Sequence, residues 1–84
     1  MSLENKVVLS KTFITSKELD NVFRNEILPL NSNDVVIHYD VNVKGVSIAF
    51  TKALDNLLKE HHIDVSYTAD SEFILNKVME DLVF

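Results

Sequence analysis

The chain has no cysteine, no tryptophan, one glycine and one proline in 84 residues. Without thiols there is no disulfide, no thiolate metal site and no cysteine nucleophile. A secreted domain this small more often carries disulfide staples, which points to the cytoplasm. One glycine and one proline force few turns, so regular elements are expected over most of the chain. No apolar run approaches the roughly 18 residues of a membrane-spanning helix, and the opening MSLENK carries no apolar segment of signal-peptide length. Basic residues are sparse: eight Lys and Arg against thirteen Asp and Glu give a net charge of −5. Because the eight are also scattered, neither nucleic acid nor membrane is expected as a partner.

What is present reads as one domain over residues 1–84. Apolar residues make up 46% and charged residues 25%, the balance of a folded chain. A chain of this size buries only about 60–65% of its unfolded surface, so a partner or a second copy would add stability. Three strand–helix units follow one another. KVVLS, 6–10, is a short β-branched strand. TSKE, 15–18, has capping-box form, with Thr15 and Glu18 placed to satisfy each other's backbone N–H. Leu19, Val22, Phe23 and Ile27 then fall at helical spacing, and Pro29 stops that helix.

DVVIHYDV, 34–41, is the strongest strand, with Val35, Ile37, Tyr39 and Val41 pointing one way and Val36, His38 and Asp40 the other. Its first half is apolar on both faces, as a central strand should be. Val46, Phe50, Ala53, Leu54, Leu57, Leu58 and His61 line one face of a helix over 46–61, with Asp55 and Lys59 paired on its wet face. IDVSYTA, 63–69, alternates, with Ile63, Val65 and Tyr67 inward. Asp70 or Ser71 caps a last helix over 71–83, in which Ile74, Val78 and Leu82 share one line. The βαβαβα order makes this an α/β domain with a small mixed or parallel β-sheet and helices packed mainly on one face.

Chemistry-bearing patterns are few. His61 and His62 are adjacent and point about 100° apart on a helix, so they do not chelate together; histidines at a helix C-terminus are ordinary. His38 and Asp40 share a strand face. They would act as an oriented base only inside a deep pocket, and no motif supplies them a nucleophile. The seven Phe and Tyr residues are spaced as core rather than as a stacking platform. No metal or other cofactor is expected, and no catalytic residue is assigned.

The bend after the central strand stands out. Asp40 ends the strand, Asn42 and Lys44 follow, Gly45 allows a tight or positive-φ turn, and Ser47 lies at the helix start. Sites in open α/β sheets gather where strands end and helices begin. One glycine falls short of a phosphate-binding loop, and Ser47 also reads simply as a helix cap.

At these residues the chain resembles a family. A β-branched strand ending near "DV", a short loop, the "GVS" step, then an apolar helix and another strand–helix unit are similar to the STAS domain of anti-sigma-factor antagonists and sulphate-transporter modules. "FITSKEL", 13–19, resembles the strand-to-helix entry of the short STAS-like branch of bacterial and phage proteins. The resemblance spans roughly 12–82 in element order and loop position, and it carries no diagnostic tripeptide. It implies a non-enzymatic binding module whose helix-start serine, Ser47 here, is phosphorylated by an ATPase-fold kinase that is also the anti-sigma factor. Two departures stand out. Val46 precedes Ser47 where the antagonists carry Asp, and "IAFT", 48–51, stands where the short branch tends to read "FADE".

The reading that follows is a cytoplasmic regulatory module acting through protein–protein contact. Its expected edge comprises Asp40, Asn42, Val43, Lys44, Val46 and Ser47, with the two valines as apolar anchors, together with the exposed part of helix 46–61. The alternative is a small acidic phage or mobile-element protein that binds and inhibits a host protein. A homodimer is a further open arrangement.

Overall fold

The computed structural model of the chain describes residues 5–11 and 17–83. Three strands, β1 (Lys6–Leu9), β2 (Asp34–Tyr39) and β3 (Asp64–Ala69), form one sheet in the order β1–β2–β3, and every pair is parallel. The helices are α1 (Lys17–Val22), α2 (Ile48–Glu60) and α3 (Glu72–Val83). α1 runs on as a π-turn, Phe23–Ile27, and a 3-10 turn, Leu28–Leu30, before the chain reverses at Asn31. The expected strand–helix alternation is therefore present, the sheet is parallel rather than mixed, and β2 is central. Thr15 of the expected capping box lies outside the described residues.

The register divides the side chains between two faces. Val7, Ile37 and Tyr67 form one row, and Leu9, Tyr39 and Ala69 the next; all but Ala69 are under 10% exposed. They pack beneath the helices on Leu19, Phe23, Phe50, Leu54, Leu58 and Val78, which complete one core. The even-numbered residues face away: Lys6, Val36 and Ser66 in one row, Val8, His38 and Thr68 in the next. Parallel sheets are usually covered on both faces. Here no described element covers the second face, which is mostly polar, with Val8 46% exposed.

Turn chemistry sets the element ends. α2 closes in a Schellman motif: the His62 N–H donates to Lys59 O and the Ile63 N–H to Leu58 O, and His62 takes φ 59°. Asn31 ends the 3-10 turn at φ 50°. These two residues hold the left-handed positions, whereas Gly45 does not have a positive φ. The tight glycine turn expected there is thus absent, and a Cβ added to Gly45 meets nothing within 4 Å.

Candidate functional site

The corner between β2 and α2 is built from the strand outward. Beyond Tyr39 the ladder ends with the Asp40 N–H donating to Leu9 O. The Asp40 side chain then organises the turn: Oδ2 accepts from the Ser10 hydroxyl at 2.5 Å, and Oδ1 from the Asn42 N–H at 2.8 Å. Those donors favour the ionised carboxylate. Asp40 is accordingly held below the ordinary carboxylate range, by the Ser10 hydroxyl first and the Asn42 N–H next.

The chain then weaves between core and solvent. Val41, expected inward with Val35, Ile37 and Tyr39, lies in the turn beyond the strand and is 66% exposed. Asn42 and Lys44 are exposed, and the Lys44 ammonium reaches Val41 O. Val43 and Val46 are 3% and 5% exposed and belong to the core. Neither side chain is available as a surface anchor; Val41 and Ile48 are the large apolar side chains exposed at this corner.

Ser47, half-buried, is the N-cap of α2, which starts at Ile48 rather than at 46. Its Oγ accepts from the Phe50 N–H at 3.0 Å, and its carbonyl accepts from both the N–H and the hydroxyl of Thr51. That last bond satisfies the buried Thr51 hydroxyl, so a polar residue stands in the core-facing stripe at little cost.

His38 and Asp40 do share the open face, but they are not hydrogen-bonded to each other. His38 instead joins β2 to β3, with Nδ1 2.7 Å from the Thr68 hydroxyl and Nε2 3.0 Å from Asp70 Oδ1. Two protonation patterns satisfy this: a neutral ring with its proton on Nε2, accepting from Thr68, or an imidazolium donating to both. A hydroxyl–imidazole–carboxylate series is the order of a nucleophile, a base and an orienting acid. Here it lies on an open sheet face. Four clefts among the described residues, formed by β1 with α1, β3 with α2 and α3, Ile27–Asn33 with His61, and α2 with α3, are lined by other residues. Since Asp70 is drawn to His38, Ser71 caps α3, its Oγ facing the Ile74 N–H at 3.4 Å. His61 packs on Phe23 with ring centroids 4.8 Å apart and planes tilted by 41°, and His62 serves the helix end.

Local sequence patterns missed a polar layer under the helices. Tyr67 donates to Asp55 Oδ1, so Asp55 is not on a wet face as expected, although it does pair with Lys59. Asp81, 4% exposed, is held by Lys77 at 2.7 and 2.9 Å. The Tyr39 hydroxyl is buried with no hydrogen-bond partner among the described residues. Burial, then the Asp81 charge, pushes the Tyr39 phenol up; burial, then Asp55, does the same for Tyr67.

Among the described residues no group of three or more His, Asp or Glu is placed to hold a metal ion, and no helix is long and apolar enough to cross a membrane. Set against family models, curated proteins and solved structures, the chain matches none.

Proposed function

We propose that the chain is a STAS-like regulatory module that works by protein–protein contact, without catalysis, through the Asp40–Ser47 corner. The observation that carries this reading is the placement of Ser47. It caps the 13-residue helix that follows the central strand and is partly open to solvent, in the segment that also exposes Val41, Asn42 and Lys44. A phosphate there adds about −1.5 to −2 charges where the helix N-terminus favours an anion. It would alter the surface a partner meets without dismantling the cap. The partner that fits is an ATPase-fold kinase serving also as anti-sigma factor, in the cytoplasm.

The test is capture from the native host with mass spectrometry on bait and prey. Recovery of a kinase-fold partner, with Ser47→Asp or Lys44→Glu weakening the capture at least tenfold, supports the proposal. Capture unchanged by both substitutions counts against this corner, and kinases of the same genome that leave Ser47 unmodified count against the switch.

One observation favours a second reading. Asp34, Asp40, Asp64 and Asp70 stand at the two ends of the open sheet face, with Asp34 and Asp64 in register. An inhibitor from a phage or mobile element would use this face against a basic surface of a host protein. Capture lost on Asp34→Asn with Asp64→Asn, and retained on Lys44→Glu, selects it.

A further inference from the structure

We infer that β3 is a dimerisation edge, pairing antiparallel with β3 of a second copy about a two-fold axis at Ser66. In the ladder, Asp64 donates to Asn33 O and Asp70 to Tyr39 O, so the even-numbered residues of β3 bond to β2. A parallel strand points alternate residues' N–H and C=O groups to opposite sides. Val65, Tyr67 and Ala69 therefore turn theirs outward, along an edge that no described strand covers.

Exposed edges are normally blunted by charged side chains, lysine above all, by proline, bulges or shortness, and the one charge of β3, Asp64, stands at its first position. β1 follows that rule, with four residues and Lys6. β3 has six residues, DVSYTA, with neither lysine nor proline. Beside it runs an open cleft of about 580 Å³ whose apolar wall is Ile63, Val65, Met79 and Leu82. Met79 is 42% exposed. A second copy continuing the sheet carries its own helix layer alongside this wall.

Charge selects the register. Outward groups at 65, 67 and 69 allow pairings centred on residue 65, 66, 67 or 68, and the one on Thr68 leaves the N-terminal half of the strand without a partner strand. Centring on Tyr67 sets Asp64 against Asp70 of the other chain, a like-charge pair. Centring on Val65 leaves the C-terminal half of the strand without a partner strand. Centring on Ser66 places Asp64 opposite Thr68 and Val65 opposite Tyr67, and pairs residues 64–68 without setting two carboxylates against each other. Apolar residues then meet on the covered face and polar residues on the open face. Each Val65–Tyr67 pair exchanges both backbone hydrogen bonds, while Ser66 meets its own copy in a non-hydrogen-bonded pair.

That last contact gives a direct test, because the chain has no cysteine of its own. Non-hydrogen-bonded antiparallel partners have Cα atoms about 4.5 Å apart, inside the disulfide range of about 4.4–6.8 Å. Full-length Ser66→Cys, oxidised, is expected to run as a covalent dimer on a non-reducing gel. Asp64→Cys is expected to run as a monomer on the same gel, because each residue 64 lies four positions, or about 14 Å, from its copy. Val65→Pro deletes an outward N–H, which an edge strand tolerates. It is expected to keep the parent's circular dichroism and sediment as a monomer where the parent sediments as a dimer. A parent that is monomeric at every soluble concentration overturns the inference. So does equal cross-linking of both cysteine variants, or a folded Val65→Pro protein that dimerises like the parent.

Discussion

The hydroxyl of Tyr67 on β3 donates to Asp55 Oδ1 on α2 at 3.0 Å, and the other oxygen of the same carboxylate holds Lys59 at 2.9 Å. One side chain thus ties a helix-surface ion pair to the sheet beneath it. Asp55 is 14% exposed and Lys59 70%. Asp55→Ala strands a buried phenol and should cost about 1–3 kcal/mol. Tyr67→Phe leaves the carboxylate its lysine and should cost about 0.5–1.5 kcal/mol. Lys59→Ala should fall within about 1 kcal/mol. Urea midpoints of the three variants check that ranking.

Alkaline pH should unfold the domain. Tyr39 and Tyr67 both have phenols raised by burial and by a nearby carboxylate, Asp81 and Asp55 respectively. An unfolded tyrosine loses its proton near about pH 10. The stability these groups contribute is whole below that pH and is lost as pH rises above it, because only the unfolded chain then releases protons. Absorbance at phenolate wavelengths should stay flat past the ordinary tyrosine midpoint and then rise together with the loss of circular dichroism. Tyrosines that titrate normally in a folded protein would contradict this.

Two backbone substitutions should run against their sequence appearance. Gly45→Ala meets open space without a positive φ, so restricting the unfolded chain should stabilise the domain by about 0.4–1 kcal/mol. His62→Gly relieves a left-handed residue at the helix end and should also stabilise, by up to about 1 kcal/mol. Thermal midpoints should rise in both. A fall for Gly45→Ala would mean that the glycine conformation matters in a way its geometry does not express.

Ser47 should separate stability from signalling. Ser47→Ala loses the cap on Phe50 and should cost about 0.5–2 kcal/mol. Ser47→Asp retains a capping oxygen and adds negative charge at the helix start, so its denaturation midpoint should stay close to that of the parent. Any loss of partner binding in Ser47→Asp is then free of a folding defect, which Ser47→Ala would not guarantee.

Periodicity made much of the architecture legible. The β-branched run of β2, the stripe of Phe50, Leu54 and Leu58, and the alternation of β3 each announce which side meets the core. Local pattern was blind where contacts span the chain. Nothing near His38 announces Thr68 or Asp70, thirty and thirty-two residues on, so Asp40 was the only carboxylate that local reading offered it. Thr51 and Asp81 are polar residues whose burial depends on the Ser47 carbonyl and on Lys77. Val41 continues the alternation of β2 in letters, but the ladder has already ended. Gly45 invited a conformation that Asn31 and His62 adopt instead, since the backbone of the corner needs no left-handed residue.

The burial of Val43 and Val46 has a consequence for how such a corner diversifies. Two of its positions are moored in the interior, while Val41, Asn42 and Lys44 project between or beside them. A library randomised at those three positions should therefore yield mostly folded proteins with altered binding, whereas one randomised at 43 and 46 should be depleted by misfolding. Recognition and architecture are interleaved residue by residue along this short segment, so binding preference can drift while the path of the chain stays put.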